Sequence, residues 1–331
     1  MAIVSNEMGA PSIPPTIYCR AAAAGELKAA LGMALGAGGR IAPEGQVVDF
    51  LKFAEQRGID VGQMRLAELG SGSGKMLWAV LPIVSPGRTM LLLAPPRFAP
   101  APDPAAAAAG QLTDLICRDY GSRDVHLAQV LIDPAELATQ TMYSQNGFVQ
   151  MAELIYLHGT MWKGSKAPKI EGGMKLVRYS AASHGEFAAA ILRTYVNSLD
   201  CPALSGLRDI EDVIIGHKAT GEFDPNLWFL LSDEGGKELG VLLLSRSGTD
   251  ALELVYLGLA SEARGKGLAG LLMQHAAASV IGDNRRRLTL AVDSRNGPAL
   301  KLYYRHGLQR IASKVVMLRD LRNPPRIRTQ N

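Results

Sequence analysis

The sequence predicts an α+β architecture built twice: two consecutive domains, each a mixed, mostly antiparallel twisted sheet with helices on both faces. Three observations carry this. The length, 331 residues, suits two domains better than one. Landmarks also recur at a fixed spacing. Tyr143 and Gly147 precede an apolar run at 151–157, and Tyr303 and Gly307 precede another at 311–318. Each landmark is separated from its counterpart by 160 positions, as are Gly110 from Gly270 and Asp133 from Asp293. A constant offset across strand, helix and turn signals indicates a duplicated unit. Finally, the second half has the element order of a mixed sheet.

That order reads as a strand at 175–179, helices at 186–196 and 207–215, and strands at 227–231, 238–245 and 252–260. A helix at 268–280 follows, with Leu271, Leu272, His275 and Ser279 on one face, then a strand at 286–292, a helix at 298–305 and a closing hairpin. In the first half, 125–132 reads as a strand. The stretch from Gly70 to Lys75 reads as a hairpin turn between 64–69 and 76–84; Met76 stands where a phosphate loop needs Ser or Thr. The expected boundaries are a loose amino-terminal segment at 1–16, a first domain at 17–160, a Gly-, Pro- and Lys-rich linker at 161–173, a second domain at 174–321, and a short basic tail at 322–331.

Hydrophobic residues make up 47% and charged residues 20%, enough for full cores. A net charge of +4, without a basic stripe interleaved with aromatics, argues against a nucleic-acid partner. Cys19, Cys117 and Cys201 lie far apart, with neither disulfide-framework nor metal-ligand spacing, so no metal is expected and a reducing cytoplasm is the expected location. No apolar run approaches the roughly 18 residues that span a bilayer, so no membrane association is expected. Monomer and homodimer both stay open.

The segment richest in chemistry is 254–270. An apolar strand feeds a turn holding Arg264, Gly265, Lys266 and Gly267, and a helix opens with Leu268, Ala269 and Gly270. The first turn of a helix presents unbonded N–H groups and partial positive charge. Glycines let the backbone approach an anion closely, and Arg264 and Lys266 add charge. The turn therefore suits a phosphate or pyrophosphate, although a plain strand-to-helix turn with solvated bases has the same composition.

Arg264-x-x-Gly267-x-Ala269 resembles the acetyl-CoA pyrophosphate loop of the Gcn5-related N-acetyltransferase (GNAT) family. Asn296-x-x-Ala299-x-x-Leu302-Tyr303-x-x-x-Gly307-Leu308 resembles that family's next motif, with Leu308 where Phe is common. The resemblance covers 174–321, extends in weaker form over about 20–160, and has the layout of a tandem-domain member. It implies acetyl-CoA as cosubstrate and transfer of an acetyl group to a primary amine, expected to be on a small molecule. A protein or peptide acceptor, or a non-catalytic acyl-CoA sensor, remain the alternatives.

The resemblance also assigns roles. Glu253, a carboxylate inside an apolar strand, matches the family's base. Leu257, Gly258 and Leu259 match the main-chain contacts to pantetheine and oxyanion, with Gly258 easing a bulge. The loop from Arg264 to Gly270 matches the pyrophosphate cradle. Tyr303 matches the acid that protonates the departing thiolate. Asn296 either touches the cofactor's amide arm or caps its helix; capping alone would explain it. Asp209, Glu211 and Asp212 lie in the region that shapes the acceptor side in this family, or form a solvated helix face. His275 and His306 read as structural. In the first copy, at the same offset, Leu93 replaces the glutamate and Pro104 the arginine, so that copy is expected to be a degenerate, inactive domain.

Overall fold

The computed structural model describes residues 16–37, 40–70, 74–96, 104–162, 164–204 and 206–323. The lead-in through residue 15, the tip of the turn at 71–73 and the basic tail from 324 lie outside the described residues.

The chain forms two compact units, residues 1–83 with 92–120, and residues 84–91 with 121–331. The first contains β1 (Ile17–Ala21), α1 (Leu27–Ala34), α2 (Glu44–Arg57), β2 (Arg65–Leu69) and most of β3 (Met76–Ser85). β2 pairs antiparallel with both β1 and β3, as the expected hairpin requires. Leu31, Met64, Ala79 and Leu81 pack beneath the helices. β4 (Thr89–Leu93) follows, then α3 (Pro104–Gly121), which opens on a proline at a position where the missing N–H costs nothing.

The second unit continues with β5 (Leu127–Ile132), α4 (Leu137–Gln145), β6 (Val149–Thr160), β7 (Lys175–Arg178), α5 (His184–Tyr195) and α6 (Ile210–Ala219). It ends with β8 (Trp228–Ser232), β9 (Glu238–Ser247), β10 (Ala251–Leu259), α7 (Leu268–Gly282), β11 (Arg287–Asp293), α8 (Gly297–Arg305) and β12 (Gln309–Asp320). Its strands run β4-β5-β12-β6-β11-β10-β9-β8-β7. Among the described residues, only β4–β5 and β10–β11 are parallel pairs. The mixed, mostly antiparallel sheet is the expected one. Leu242, Leu244, Leu252 and Leu254 face α7 on one side, while Val241, Leu243, Trp228 and Leu230 face α5 and α6 on the other.

The duplication is visible bond by bond. The amides of Phe148 and Leu308 donate to the carbonyls of Tyr143 and Tyr303, and those of Glu136 and Asn296 donate to Asp133 and Asp293. Gly147 and Gly307 both take a left-handed φ, 79° and 80°, which is why glycine recurs there. Tyr143 and Tyr303 are both buried.

Two readings need correction. The closing hairpin is one twelve-residue strand, β12. The buried stripe of α7 runs through Leu268, Leu272, Met273, Ala276 and Val280, which leaves His275 and Ser279 at its margin. The compact units divide elsewhere than at 161–173. The reason is an exchange of strands. β6, the last strand of the first sequence copy, lies between β11 and β12, and β12 lies between β5 and β6. The β6–β12 register is reciprocal: Gln309 faces His158 and Leu318 faces Val149, so equivalent positions swap partners as about a two-fold axis.

A chain beginning at Met174 would lack both β5 and β6, leaving β12 without a neighbour and β11 paired only with β10. Size-exclusion chromatography and circular dichroism should find it aggregated or largely unfolded, because a long apolar edge recruits other strands; a monodisperse product with native strand content would contradict the pairing.

Candidate active site

β10 and β11 pair in parallel only from Ala251–Arg287 to Glu253–Thr289, while β10 stays paired with β9 as far as Leu259. Beyond Glu253 the two strands therefore part, and the main chain of β10 on that side loses its ladder partner. A β-bulge between Leu254 and Tyr256 turns the strand at this point. The expected bulge at Gly258 is thus displaced to Val255. Gly258 serves another need: a Cβ there would lie 2.7 Å from both Thr194 Oγ1 and the Tyr256 hydroxyl, so glycine permits the close approach of α5.

The gap is a cavity of about 800 Å³. β10 contributes Leu254 to Leu257 and Leu259, and β11 contributes Ala291 and Val292. The turn and α7 contribute Arg264, Gly265, Gly267, Leu268, Ala269 and Gly270. Asn296, Pro298, Ala299, Lys301, Leu302, Tyr303, Arg305 and His306 line it from α8 and its flanks, and Asp200 from the loop after α5. Of the expected site residues, Leu257, Leu259, Arg264, Gly265, Gly267, Leu268, Ala269, Gly270, Asn296 and Tyr303 come together here. Glu253, Gly258 and Lys266 are not in the lining.

The turn is a ready anion cradle, made mainly by main chain. Gly265 and Gly267 take φ of 75° and 79°, a conformation that aims successive N–H groups to one side. Among the described residues, the amides of Gly265, Lys266, Gly267, Leu268 and Ala269 reach no protein acceptor, whereas Gly270 donates to the Gly267 carbonyl. With the positive end of α7 behind them, these amides suit a diphosphate.

Arg264 does something different from adding charge to that cradle. Its guanidinium donates to the carbonyls of Leu259, Thr194, Val196 and Asn197, at 2.7–3.1 Å. It caps the carboxy-terminal end of α5 and ties the following loop to the cradle. Lys266 is exposed. Asn296 is the N-cap of α8, its Oδ1 accepting from the Ala299 amide at 3.3 Å. Capping is the role its contacts describe.

Tyr303 is buried in the cavity wall. Burial, with a contribution from the nearby Asp200 carboxylate, holds its phenol above the ordinary tyrosine value. Glu253 sits where the strands part, opposite Ser245 and Thr289, on the other face from Leu252 and Leu254. Its charge reaches Tyr156 of β6, whose phenol is raised by burial first and by Glu253 second. On the same face, the Thr194 hydroxyl donates to the Ile191 carbonyl, so the Tyr256 hydroxyl, 2.7 Å away, donates to Thr194. The His217 ring stacks on Tyr256 and is pushed down to about 4, chiefly by burial. Glu211 pairs with His184, and Asp212 is buried beside Arg88, so neither is a bare solvated acid. His306 is held at the end of α8 by the Leu302 carbonyl.

Sequence reasoning missed Asp200, Lys301 and Arg305. The spacing of Lys301 and Arg305, four apart on one helix, was a signal open to reading; Asp200 gave none. In the first copy, the β4–β5 pairing sets Leu91 opposite Gln129, as Glu253 is set opposite Thr289. The counterpart of Glu253 is thus Leu91 rather than Leu93, and it still carries no carboxylate.

Residues 195–308 match the profile of the acetyltransferase (GNAT) family. This part of the chain is thus similar to a GNAT domain, the family the motifs resemble, and the GNAT fold as a class serves acyl transfer. A search of curated proteins gave no match. Among solved structures, a GCN5-related N-acetyltransferase from Sphaerobacter thermophilus is 17% identical with a TM-score of 0.56, covering 92% of this chain and 96% of that one. A tandem GNAT protein from the clavulanic acid biosynthesis pathway is 12% identical with a TM-score of 0.51, covering 92% and 99%. A GCN5-related glucosamine N-acetyltransferase region in a fungal multi-domain GH3 beta-N-acetylglucosaminidase is 14% identical with a TM-score of 0.59, covering 93% of this chain and 38% of that one. At these identities the likeness is one of fold, and it extends to the tandem layout. Among the described residues no helix is long and apolar enough to cross a membrane, and no group of three or more His, Cys, Asp or Glu is placed to hold a metal ion.

Replacing Arg264 by Ala should cost on the order of 2–3 kcal/mol, because main-chain carbonyls lose a charged donor. Lys266→Ala should leave the thermal midpoint unchanged. Equal midpoints for the two variants would refute the clamp.

Proposed function

We propose that the second copy is an acetyl-CoA-dependent N-acyltransferase acting on a primary amine of a small molecule. The observation that carries this reading is the run of unpartnered amides from Gly265 to Ala269 at the mouth of the gap between β10 and β11. The diphosphate of coenzyme A would rest on those amides, and the pantetheine arm would take the open edge of β10 along Leu257 and Leu259, as an added strand would. This places the thioester near the point where the strands part, between Glu253 and Tyr303.

The chemistry then follows from these positions. The neutral amine attacks the thioester carbonyl, a C–N bond forms, the C–S bond breaks, and coenzyme A leaves as thiolate. Glu253 draws the amine's proton through water, since it stands outside the cavity lining. Tyr303 gives its proton to the thiolate. Its raised pKa keeps it protonated through neutral and mildly alkaline pH, so loss of this acid would not set the high-pH limb of turnover. Main-chain N–H groups along 257–259 would meet the oxyanion. The first copy, with Leu91 at the base position, serves as a non-catalytic partner domain.

Two measurements test this. Thiol release from acetyl-CoA should be followed against a mixed library of primary amines. Glu253→Gln and Tyr303→Phe should each lower kcat by about 10²-fold or more; full rate in both variants would remove these role assignments, and coenzyme A binding without any turnover would favour a sensor. Calorimetry should give one coenzyme A per chain; two tight equivalents would show that the first copy binds as well.

A further inference from the structure

The loop from Val196 to Leu204 carries one side chain into the cavity, Asp200, and several contacts fix it there. The Asp293 amide donates to Asp200 Oδ1, and the Cys201 amide donates to Asp293 Oδ2, each at 3.2 Å. Asp293 is itself fully buried and gripped by Arg295, which also donates to the Met151 carbonyl. On the other side Arg264 holds the carbonyls of Val196 and Asn197, and Ser261 Oγ holds that of Val196. Asn197 and Cys201 take φ of 53° and 43°, left-handed conformations that residues with a Cβ adopt uncommonly.

These contacts present a carboxylate to a largely apolar cavity with one oxygen occupied. Among the described residues Asp200 Oδ2 has no partner, and no cation of the protein pairs with it. Arg295 is committed to Asp293, and Arg264 to carbonyls. A half-buried carboxylate lacking a counter-ion gains when a cation arrives.

We propose that Asp200 recognises the acceptor as an ammonium ion and thereby selects alkylamines, which are cationic at neutral pH, over amines that are neutral there. This rests on the acyltransferase reading and names its substrate class. The ammonium docks on Asp200 Oδ2, beside Tyr303, and gives up its proton towards Glu253 before attack. Asp200 is thus a specificity residue and Glu253 the base.

Asp200 titrates among neighbours that include Lys301, Arg305 and His306 of the same cavity wall. Burial raises its carboxyl. Tyr195 on α5, Tyr256 on β10 and Tyr303 on α8 are all raised, chiefly by burial, and stay neutral. Cys201 is pushed up to about 12, by burial and then by Asp200 and Asp293. Asp293 is held low against its burial by Arg295, and stays anionic. Amine recognition should therefore be complete above the Asp200 pKa and lost as pH falls through it.

The experiment compares n-butylamine, cationic at pH 7.5, with aniline, neutral there, as acceptors for acetyl-CoA in the full-length protein. Asp200→Asn should raise KM for butylamine about 30-fold, keep kcat within about three-fold, leave aniline unchanged and remove from the kcat/KM profile for butylamine its extra loss at acidic pH relative to aniline. Glu253→Gln should lower kcat for both amines. Equal effects of Asp200→Asn on both amines, or none on butylamine, would overturn the proposal. Acetyl-CoA affinity, measured by calorimetry in each preparation, separates the two readings: its absence in the wild type sinks the acyltransferase assignment. Butylamine titrated into the acetyl-CoA complex should shift the Asp200 carboxyl 13C resonance and lower its pKa, and an unmoved resonance overturns the proposal without needing turnover.

Discussion

The parting of β10 from β11 after Glu253 and Thr289 is the constraint on which the site depends. A parallel pair that ran its full length would leave no main chain for a ligand to use. Several features hold the gap open. β11 is paired along its whole length with β6, from Arg287–Thr160 to Asp293–Leu154, so it does not follow β10. β10 is held by β9 and bent by the bulge at Val255. The cavity is the space between two strands that are each satisfied on their far side.

Charge in the site is divided between main chain and side chains. The anion cradle relies on N–H groups of a left-handed turn and the opening of α7, which cannot swing away. Arg264, the residue that looks most like a phosphate ligand, instead joins the cradle to the end of α5. The cradle and the loop that follows α5 thus share one rigid connection.

Much of this was legible before any coordinates. Gly147 and Gly307 recur because the turn after each helix needs a positive φ, and glycine is the residue that supplies it cheaply. Strand and helix order in the second half followed from apolar periods, and the wall of the cavity from Arg264 to Gly270 followed from the glycine-rich turn. Other features left no mark in one dimension. A guanidinium can donate to phosphates and to carbonyls, so the part played by Arg264 depended on where α5 ended. Asp200 lies in a polar stretch without period, and its importance comes from the distant Asp293. The insertion of β6 between β11 and β12 was invisible because its apolar run satisfies any neighbouring strand.

The interleaving of β5, β12, β6 and β11 sets an order of events for a chain made from its amino terminus. β6 leaves the ribosome well before either of its neighbours, which arrive with residues 287–293 and 309–320. Until then its apolar side chains, Met151, Ile155 and Leu157 among them, have no native strand beside them. The nascent chain cannot close this sheet until residues 287–320 have emerged, and in that interval β6 presents an unpaired apolar edge.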